Sequence, residues 1–226
     1  MLMKIVFVVI PMSQEPSAAY YRPKDNPELS YKGKVRFSIN SVLACKMQKD
    51  EEVKIVRFIN TYKTKNEKNN SLEYARMYEE ELNSINKKIG AKISYSDILE
   101  DFDETRSVHK KRFVQAIKQL EKNSELYAEI TFGQKTMVPL IFSTLTFGEK
   151  FFNSDIQYIV YGQIKFIPNP KFVDAITTPS ERPVKKDLNH AVLYDITTLF
   201  YLNNMAIAMD APDEKSAVAL VERFFS

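Results

Sequence analysis

The sequence predicts an α/β domain with a doubly wound, mostly parallel sheet and further helices at its C-terminus. The chain opens with a continuous, largely β-branched apolar run over residues 5–10 that ends at a proline, as expected of a strand buried on both faces. Strand-like and helical segments then alternate along the chain, which indicates successive β-α-β units. With 226 residues, 44% of them apolar, the chain is long enough for one such domain.

The predicted elements follow one another in regular order. Apolar patterning places strands at residues 5–10, 53–59, 92–95, 126–131, 156–161 and 191–196, and helices at residues 37–48, 71–89, 108–121, 136–147, 198–209 and 213–225. Pro16, Pro23 and Pro27 exclude a long regular element from the loop over residues 12–34. Residues 165–189 are rich in proline and charge and are predicted to form a surface excursion. We expect one domain over residues 1–226, with a helical extension from about residue 198.

Composition argues against several classes of protein. The 32 basic and 29 acidic residues give a formal charge of +3, too balanced for binding nucleic acid by charge alone, so no DNA partner is expected. The single cysteine, Cys45, excludes an internal disulfide and fits a reducing cytoplasm. The N-terminal apolar run is too short for a signal peptide, and no stretch approaches the ~20 apolar residues of a membrane span. We therefore expect a cytoplasmic protein without a membrane partner.

The common motifs for nucleotides and metals are absent. The chain has only five glycines, and none of them forms a Gly-x-Gly-x-x-Gly or Walker pattern. His109 and His190 are far apart, and no Cys or His cluster has the spacing of a metal site, so neither a cofactor nor a metal is expected. The basic run from His109 to Arg112 and the acidic run from Glu79 to Glu81 are interpreted as solvated helix faces.

The most informative segment covers residues 129–139 and reads Glu-Ile-Thr-Phe-Gly-Gln-Lys-Thr-Met-Val-Pro. At the end of a buried strand, Gly133 lets the backbone approach a ligand closely, and the N–H groups of the next helix favour an anion such as a phosphodiester. Lys135 adds a positive charge, and Thr131 and Thr136 add hydroxyl groups. A plain strand-to-helix turn with a capping threonine would have the same composition.

At these residues the chain resembles a group of CRISPR-associated proteins that carry the motif Asp-x-Thr-His-Gly in a CARF domain (CRISPR-associated Rossmann fold). Glu129, Thr131, Gly133 and Pro139 occupy the corresponding positions, with Glu129 in place of the family's aspartate and Phe132 in place of its histidine. The resemblance covers most of the chain, since it extends to residues 29–35, 58–61, 159–162 and 194–199.

The resemblance implies a Rossmann-like CARF domain that binds a cyclic oligoadenylate, the second messenger made by type III CRISPR complexes when they meet foreign RNA. The ring, cyclic tetra-adenylate or hexa-adenylate, would lie on the two-fold axis of a homodimer, because an isologous dimer matches its rotational symmetry. The residues implied to bind the ligand are Met12, Ser13, Asn60, Thr61, Thr131, Phe132, Gly133, Gln134, Lys135 and Thr136.

Two further features belong to this interpretation. Adenine bases would stack on Tyr20, Tyr21 or Phe132, since aromatic side chains stack on bases without sequence preference. The C-terminal apolar residues would contribute to the dimer or cover the sheet; they are Leu199, Phe200, Leu202, Met205, Ile207 and Met209.

Several functions remain open from the sequence alone. The chain is a messenger-binding sensor, a metal-independent ring nuclease, or the sensory part of a larger effector. In a ring nuclease the ribose 2'-hydroxyl would attack the adjacent phosphate, with Lys135 as the candidate catalytic residue. About 30 residues follow Asp195, enough for two helices but not for a nuclease domain. A scaffold with the same core and no nucleotide site would show no response to the ring.

Overall fold

The computed structural model describes residues 2–61, 70–164, 166–167, 185–208 and 213–225 of the chain. Its strands are β1 (Lys4–Val9), β2 (Tyr21–Pro23), β3 (Glu52–Thr61), β4 (Lys92–Asp101), β5 (Glu125–Glu129), β6 (Asp155–Gln163), β7 (Phe166–Ile167), β8 (Lys185–Lys186) and β9 (Ala191–Asp195). Its helices are α1 (Ser38–Lys46), α2 (Ser71–Asn86), α3 (Arg106–Ile117), α4 (Met137–Phe152), α5 (Thr197–Ala208) and α6 (Glu214–Phe225). The predicted α/β class is confirmed.

Seven strands form one sheet in the order β2-β9-β6-β5-β1-β3-β4. β1 pairs in parallel with β3 on one side and with β5 on the other, and β4 and β6 continue the sheet in parallel. β9 is antiparallel to β6, and the short β2 is parallel to β9. The sheet is therefore mostly parallel, as predicted. Its strand order reverses between β1 and β5, and in open α/β sheets ligands bind outside the carboxyl ends of the strands at such a point.

Helices cover both faces of the sheet, and each face has its own apolar core. α1 and α2 pack on one face against alternate residues of β1, including Val6 and Val8. α3, α4 and Phe200 of α5 pack on the other face against the intervening residues of β1. Residues 5–9 are at most 1% exposed because both faces of β1 are covered. This double burial explains why the opening run is apolar without interruption.

Three elements differ most from the prediction, and the other predicted elements have bounds within four residues of those predicted. β4 extends beyond the predicted residues 92–95 because it is an edge strand whose polar residues hide its periodicity. α4 extends past residue 147 and includes Gly148, which lies so close to Leu126 that a larger side chain would collide with it. β2 was not predicted, since it has only three residues and contains Pro23, which strands tolerate at a sheet edge.

The two charged runs are not simple solvated faces, so that prediction was wrong for two residues. Arg112 is only 2% exposed and donates hydrogen bonds to the side chain of Asn60 and to a backbone carbonyl of β4. The Glu81 carboxylate accepts hydrogen bonds from the backbone N–H groups of Arg36 and Phe37, at 2.8 and 3.3 Å, directly before α1. Both charges have partners distant in the chain, which periodicity does not reveal.

Some predictions fall partly outside the described residues. Most of the predicted surface excursion, residues 168–184, lies outside them, and so does Met209 of the C-terminal apolar stripe. Within that stripe Phe200 is fully buried against the sheet, whereas Leu199 is 57% exposed. None of the described helices combines the length and the apolar character needed to cross a bilayer.

Candidate functional site

A cavity of about 590 Å³ opens at the carboxyl edge of the sheet, where the chain leaves β5 and β6. We call it the strand-end cavity. Its walls come from the loop after β1, from β2, and from the ends of β5 and β6, and include Gln14, Tyr21, Thr131, Phe132, Tyr161 and Gly162. Among the described residues, the lining includes one carboxylate, Glu15, and no Lys, Arg or His. This part of the lining is therefore aromatic and polar.

The predicted segment after β5 forms one wall of this cavity and then turns into α4. Gly133 has a φ of 96°, and its backbone lies against the end of β1, where an added Cβ would be 2.4 Å from Val9. Lys135 is exposed at the turn, and the Thr136 hydroxyl donates to Glu104 at 2.9 Å. α4 begins at Met137 without a side-chain cap, so its first N–H groups lie beside Lys135.

The structure brings three of the predicted residues, Met12, Asn60 and Gln134, together from different parts of the chain. The Asn60 side chain donates to the Gln134 amide oxygen at 3.4 Å, and the Gln134 amide lies 3.9 Å from the sulfur of Met12. Asn60 is only 2% exposed, so it lies beneath the site and positions Gln134. Thr61 donates to Asp101 on the neighbouring strand at 2.9 Å.

The aromatic residues near the site have distinct roles. Phe132 packs edge-on against Phe37 with ring centroids 5.7 Å apart, and it also lines the strand-end cavity. Tyr21 is 3% exposed and forms part of the cavity wall, whereas Tyr20 is exposed beneath the Lys34 ammonium group. Sequence reasoning missed Tyr161, which lines the cavity and is 37% exposed. Of the three rings that line the cavity, Tyr161 is the most exposed.

Directly behind the cavity wall, the carboxylate of Glu129 is completely buried at the end of β5. Its Oε1 accepts hydrogen bonds from the backbone N–H of Ser38 at 2.9 Å and from the Ser38 hydroxyl at 2.5 Å. Its Oε2 is buried without a hydrogen-bond partner among the described residues. Since Ser38 is the first residue of α1, Glu129 fastens the start of this helix to the sheet.

Further hydrogen bonds connect the contact between Glu129 and Ser38 to the cavity wall. The Thr131 hydroxyl lies 3.1 Å from the Ser38 hydroxyl and accepts a hydrogen bond from the backbone N–H of Gly162 at 2.8 Å. Gly162 itself lies so close to Ser38 and Tyr21 that an added Cβ would come within 2.6 and 2.7 Å of them. A glycine is thus required where β6 passes the start of α1. A single buried cluster holds both strand ends that border the cavity.

Burial raises the pKa of Glu129 to about 7, although hydrogen bonds from Ser38 act in the opposite direction. No ion pair joins Glu129 to a basic side chain among the described residues. A buried carboxylate without a cation favours its neutral form, because ionisation in a low-dielectric site is costly. Glu129 therefore changes its charge close to neutral pH.

A second cavity, of about 430 Å³, lies on the other side of the α4 start, between α3 and α4. His109, Phe113, Thr136 and Leu140 are among its lining residues. Both ring nitrogens of His109 are buried without a hydrogen-bond partner among the described residues. His109 thus lies close to the predicted segment in space, although the sequence separates them.

Residues 2–61, 70–164, 166–167, 185–208 and 213–225 contain no group of three or more His, Cys, Asp or Glu side chains arranged to hold a metal ion. Compared with known proteins, the chain matches no protein-family model and no curated protein sequence.

The buried carboxylate makes a testable prediction for stability. Below pH 4.5 Glu129 is neutral in both the folded and the unfolded states, whereas between about 4.5 and 7 only the unfolded state ionises it. The folded state therefore loses ~3 kcal/mol of stability as pH rises through this window. The Glu129→Gln variant should not lose stability over this pH window. Urea unfolding at several pH values measures the free energy of unfolding, and Glu80→Gln, at an exposed position, is the matched control. Equal pH slopes for Glu129→Gln and the unmodified protein would contradict the assignment.

Proposed function

We propose that this protein is a CARF-type sensor that binds a cyclic oligoadenylate, tetra-adenylate or hexa-adenylate, across a homodimer. The observation that carries the proposal is the position of the segment from Thr131 to Thr136. It crosses the point where the strand order reverses, between an aromatic cavity on one side and an exposed lysine at a helix start on the other. A ligand with both bases and phosphates fits this pair of environments.

The phosphate-binding part of the proposed site is the turn into α4. Gly133 adopts a backbone conformation that favours glycine, which leaves the chain free of side-chain bulk at this turn. α4 begins directly after Lys135 and Thr136, and the positive end of the dipole of a 16-residue helix attracts anions. Lys135 supplies a full positive charge at the same place. A phosphodiester of the ring would meet all three features together.

The base-binding part is the strand-end cavity. Its described lining is aromatic and polar, which suits a neutral heterocycle. Tyr161 presents a partly exposed ring, and Gln14 and Gln163 place side-chain amides beside it. Aromatic faces stack on bases, while amides hydrogen-bond to base edges. We assign the stacking role to Tyr161, because it is the most exposed of the rings that line the cavity; its ring also stacks on Tyr194, with centroids 6.2 Å apart.

A homodimer follows from the symmetry of the ligand. A ring with rotational symmetry makes equal contacts with two copies of one site when it lies on a two-fold axis. Exposed apolar side chains on the helices offer surface for such an association; they include Phe151, Leu199, Val218 and Leu220. A sensor and a ring nuclease would both bind the ring, so a binding measurement tests the step that the two functions share.

Binding of the ring should stabilise the protein against heat. A ligand at 100 times its Kd adds about 2.7 kcal/mol to the unfolding free energy, which raises Tm by roughly 5–10 °C for a chain of this size. Thermal unfolding with cyclic tetra-adenylate and cyclic hexa-adenylate measures this shift, with linear oligoadenylate of equal length as the control. No shift with either ring would refute the proposed function. Rapid formation of linear products in EDTA would instead identify a ring nuclease.

Replacing Lys135 by Ala should weaken ring binding roughly 10-fold to 150-fold, which corresponds to a charge-assisted hydrogen bond of about 1.5 to 3 kcal/mol. The loss occurs in both subunits of a dimer, so the measured effect is at least this large. Calorimetric titration gives the affinity. Lys122→Ala is the matched control, because Lys122 is also exposed but precedes β5 at the amino edge of the sheet. Equal affinities for the two variants would remove Lys135 from the site.

A further inference from the structure

Three oxygen-bearing side chains form a hydrogen-bonded relay from the strand-end cavity into the protein. Thr131 lines the cavity, and its hydroxyl oxygen lies 3.1 Å from that of Ser38. The Ser38 hydroxyl oxygen lies 2.5 Å from Oε1 of the buried Glu129. In the Thr131–Ser38 hydrogen bond, either hydroxyl group can be the donor. Which of the two donates is therefore set by the charge of Glu129, the third member of the relay.

When Glu129 is ionised, every hydrogen of the relay is directed inward. A carboxylate only accepts, so the Ser38 hydroxyl donates its single hydrogen to Glu129. Ser38 then has only lone pairs left for Thr131, and the Thr131 hydroxyl donates to Ser38. Thr131 consequently faces the cavity with no hydrogen to offer. An anionic ligand meets lone pairs there, with a buried negative charge two hydrogen bonds behind them.

When Glu129 is protonated, the relay can run in the opposite direction. The neutral carboxyl group donates to the Ser38 hydroxyl oxygen, and the Ser38 hydroxyl donates to Thr131. The backbone N–H of Ser38 keeps its acceptor, because the carboxyl oxygen retains a lone pair. The Thr131 hydroxyl, which still accepts from the Gly162 N–H, now turns its own hydrogen toward the cavity. That hydrogen is available to a phosphate oxygen.

We propose that Glu129 is a positioning residue that controls, through Ser38, whether Thr131 donates a hydrogen bond into the strand-end cavity, so that an anionic ligand is bound together with a proton. The proposal rests on the proposed function only in naming the cyclic oligoadenylate as that ligand. Its consequence is a sensor that binds its messenger more tightly as pH falls toward neutrality from the alkaline side.

The surroundings of Glu129 allow this change of charge. Its neighbours in the sheet, Val8 of β1 and Val160 of β6, are apolar and fully buried. Tyr21 of β2 and Tyr78 of α2 face its charge, but burial raises the pKa of both phenols far above neutral pH, so they stay uncharged.

Glu81 of α2 is the other carboxylate near this cluster. Its charge also acts on Tyr21 and Tyr78. Burial raises the pKa of Glu81, whereas hydrogen bonds from Arg36, Asn40 and Phe37 lower it. Its hydrogen bonds come from Arg36, Phe37 and Asn40, and none of these residues belongs to the relay. The charge of Glu81 therefore does not set the donor direction of the Thr131–Ser38 hydrogen bond.

The test is the pH profile of ring affinity for four proteins, measured by calorimetry from pH 6 to 9 in two buffers with different enthalpies of ionisation. For the unmodified protein, Kd should be constant below about pH 7 and should rise above it by up to roughly tenfold per pH unit for each subunit that contacts the ring. Proton uptake should accompany binding. The phosphodiesters of the ring keep their charge over this range, and His109 and His190 are unchanged in every variant.

Each variant isolates one part of the relay. Glu129→Gln should bind the ring with an affinity that does not change across this pH range, because its side-chain amide does not titrate. Thr131→Val should lose the acid-side gain, and the conservative Thr131→Ser should restore it. Parallel profiles for the unmodified protein and Glu129→Gln would overturn the proposal. If the Thr131→Val variant kept the full pH dependence of ring affinity, the proposal would also be overturned, because repulsion between the Glu129 charge and the ring would then suffice to explain that dependence. Absence of ring binding at every pH would overturn the proposed function as well.

Discussion

The contact between the Glu129 carboxylate and the first residue of α1 organises the carboxyl edge of the sheet. It joins the end of β5 to the helix that follows β1, and through Thr131 and Gly162 it holds the end of β6 in the same cluster. A buried, unpaired carboxylate costs free energy, which hydrogen bonds from two Ser38 donors only partly offset. Structures retain such costs mainly where the group has a role beyond packing.

This cluster separates two environments that a cyclic nucleotide requires. On the β6 side lies the strand-end cavity with its aromatic walls, and on the α4 side lie a helix start and Lys135. The loop from Thr131 to Gly133 divides them, and in the proposed complex neighbouring base and phosphate groups of one ring would contact both.

Much of the fold was predictable from local patterns. The apolar run of β1 and the alternation of elements suffice for a doubly wound sheet, because both follow from burial on two faces. Residue periodicity did not reveal β2, whose proline and short length leave no pattern. It also did not reveal that Arg112 and Glu81 are held by distant polar groups, since charges look alike in the sequence whether they are solvated or buried.

The sequence indicates a position for the candidate site but not the contacts within it. A glycine and a lysine after a buried strand predict a site at the turn into α4, whereas the contacts of Glu129 involve Ser38 from another part of the chain. An acidic residue directly after the apolar residues 126–128 was the local signal for Glu129. Tyr161 gave no such signal, because a tyrosine in a strand is as common in cores as in binding sites.

The most direct test of this account is a crystal structure of the protein with a cyclic oligoadenylate. We expect the ring on the two-fold axis of a dimer, with phosphate oxygens within hydrogen-bond distance of Thr131 and Lys135 and an adenine against Tyr161. A ring bound to another surface, or a complex in which the segment from Thr131 to Thr136 makes no contact with it, would contradict the account.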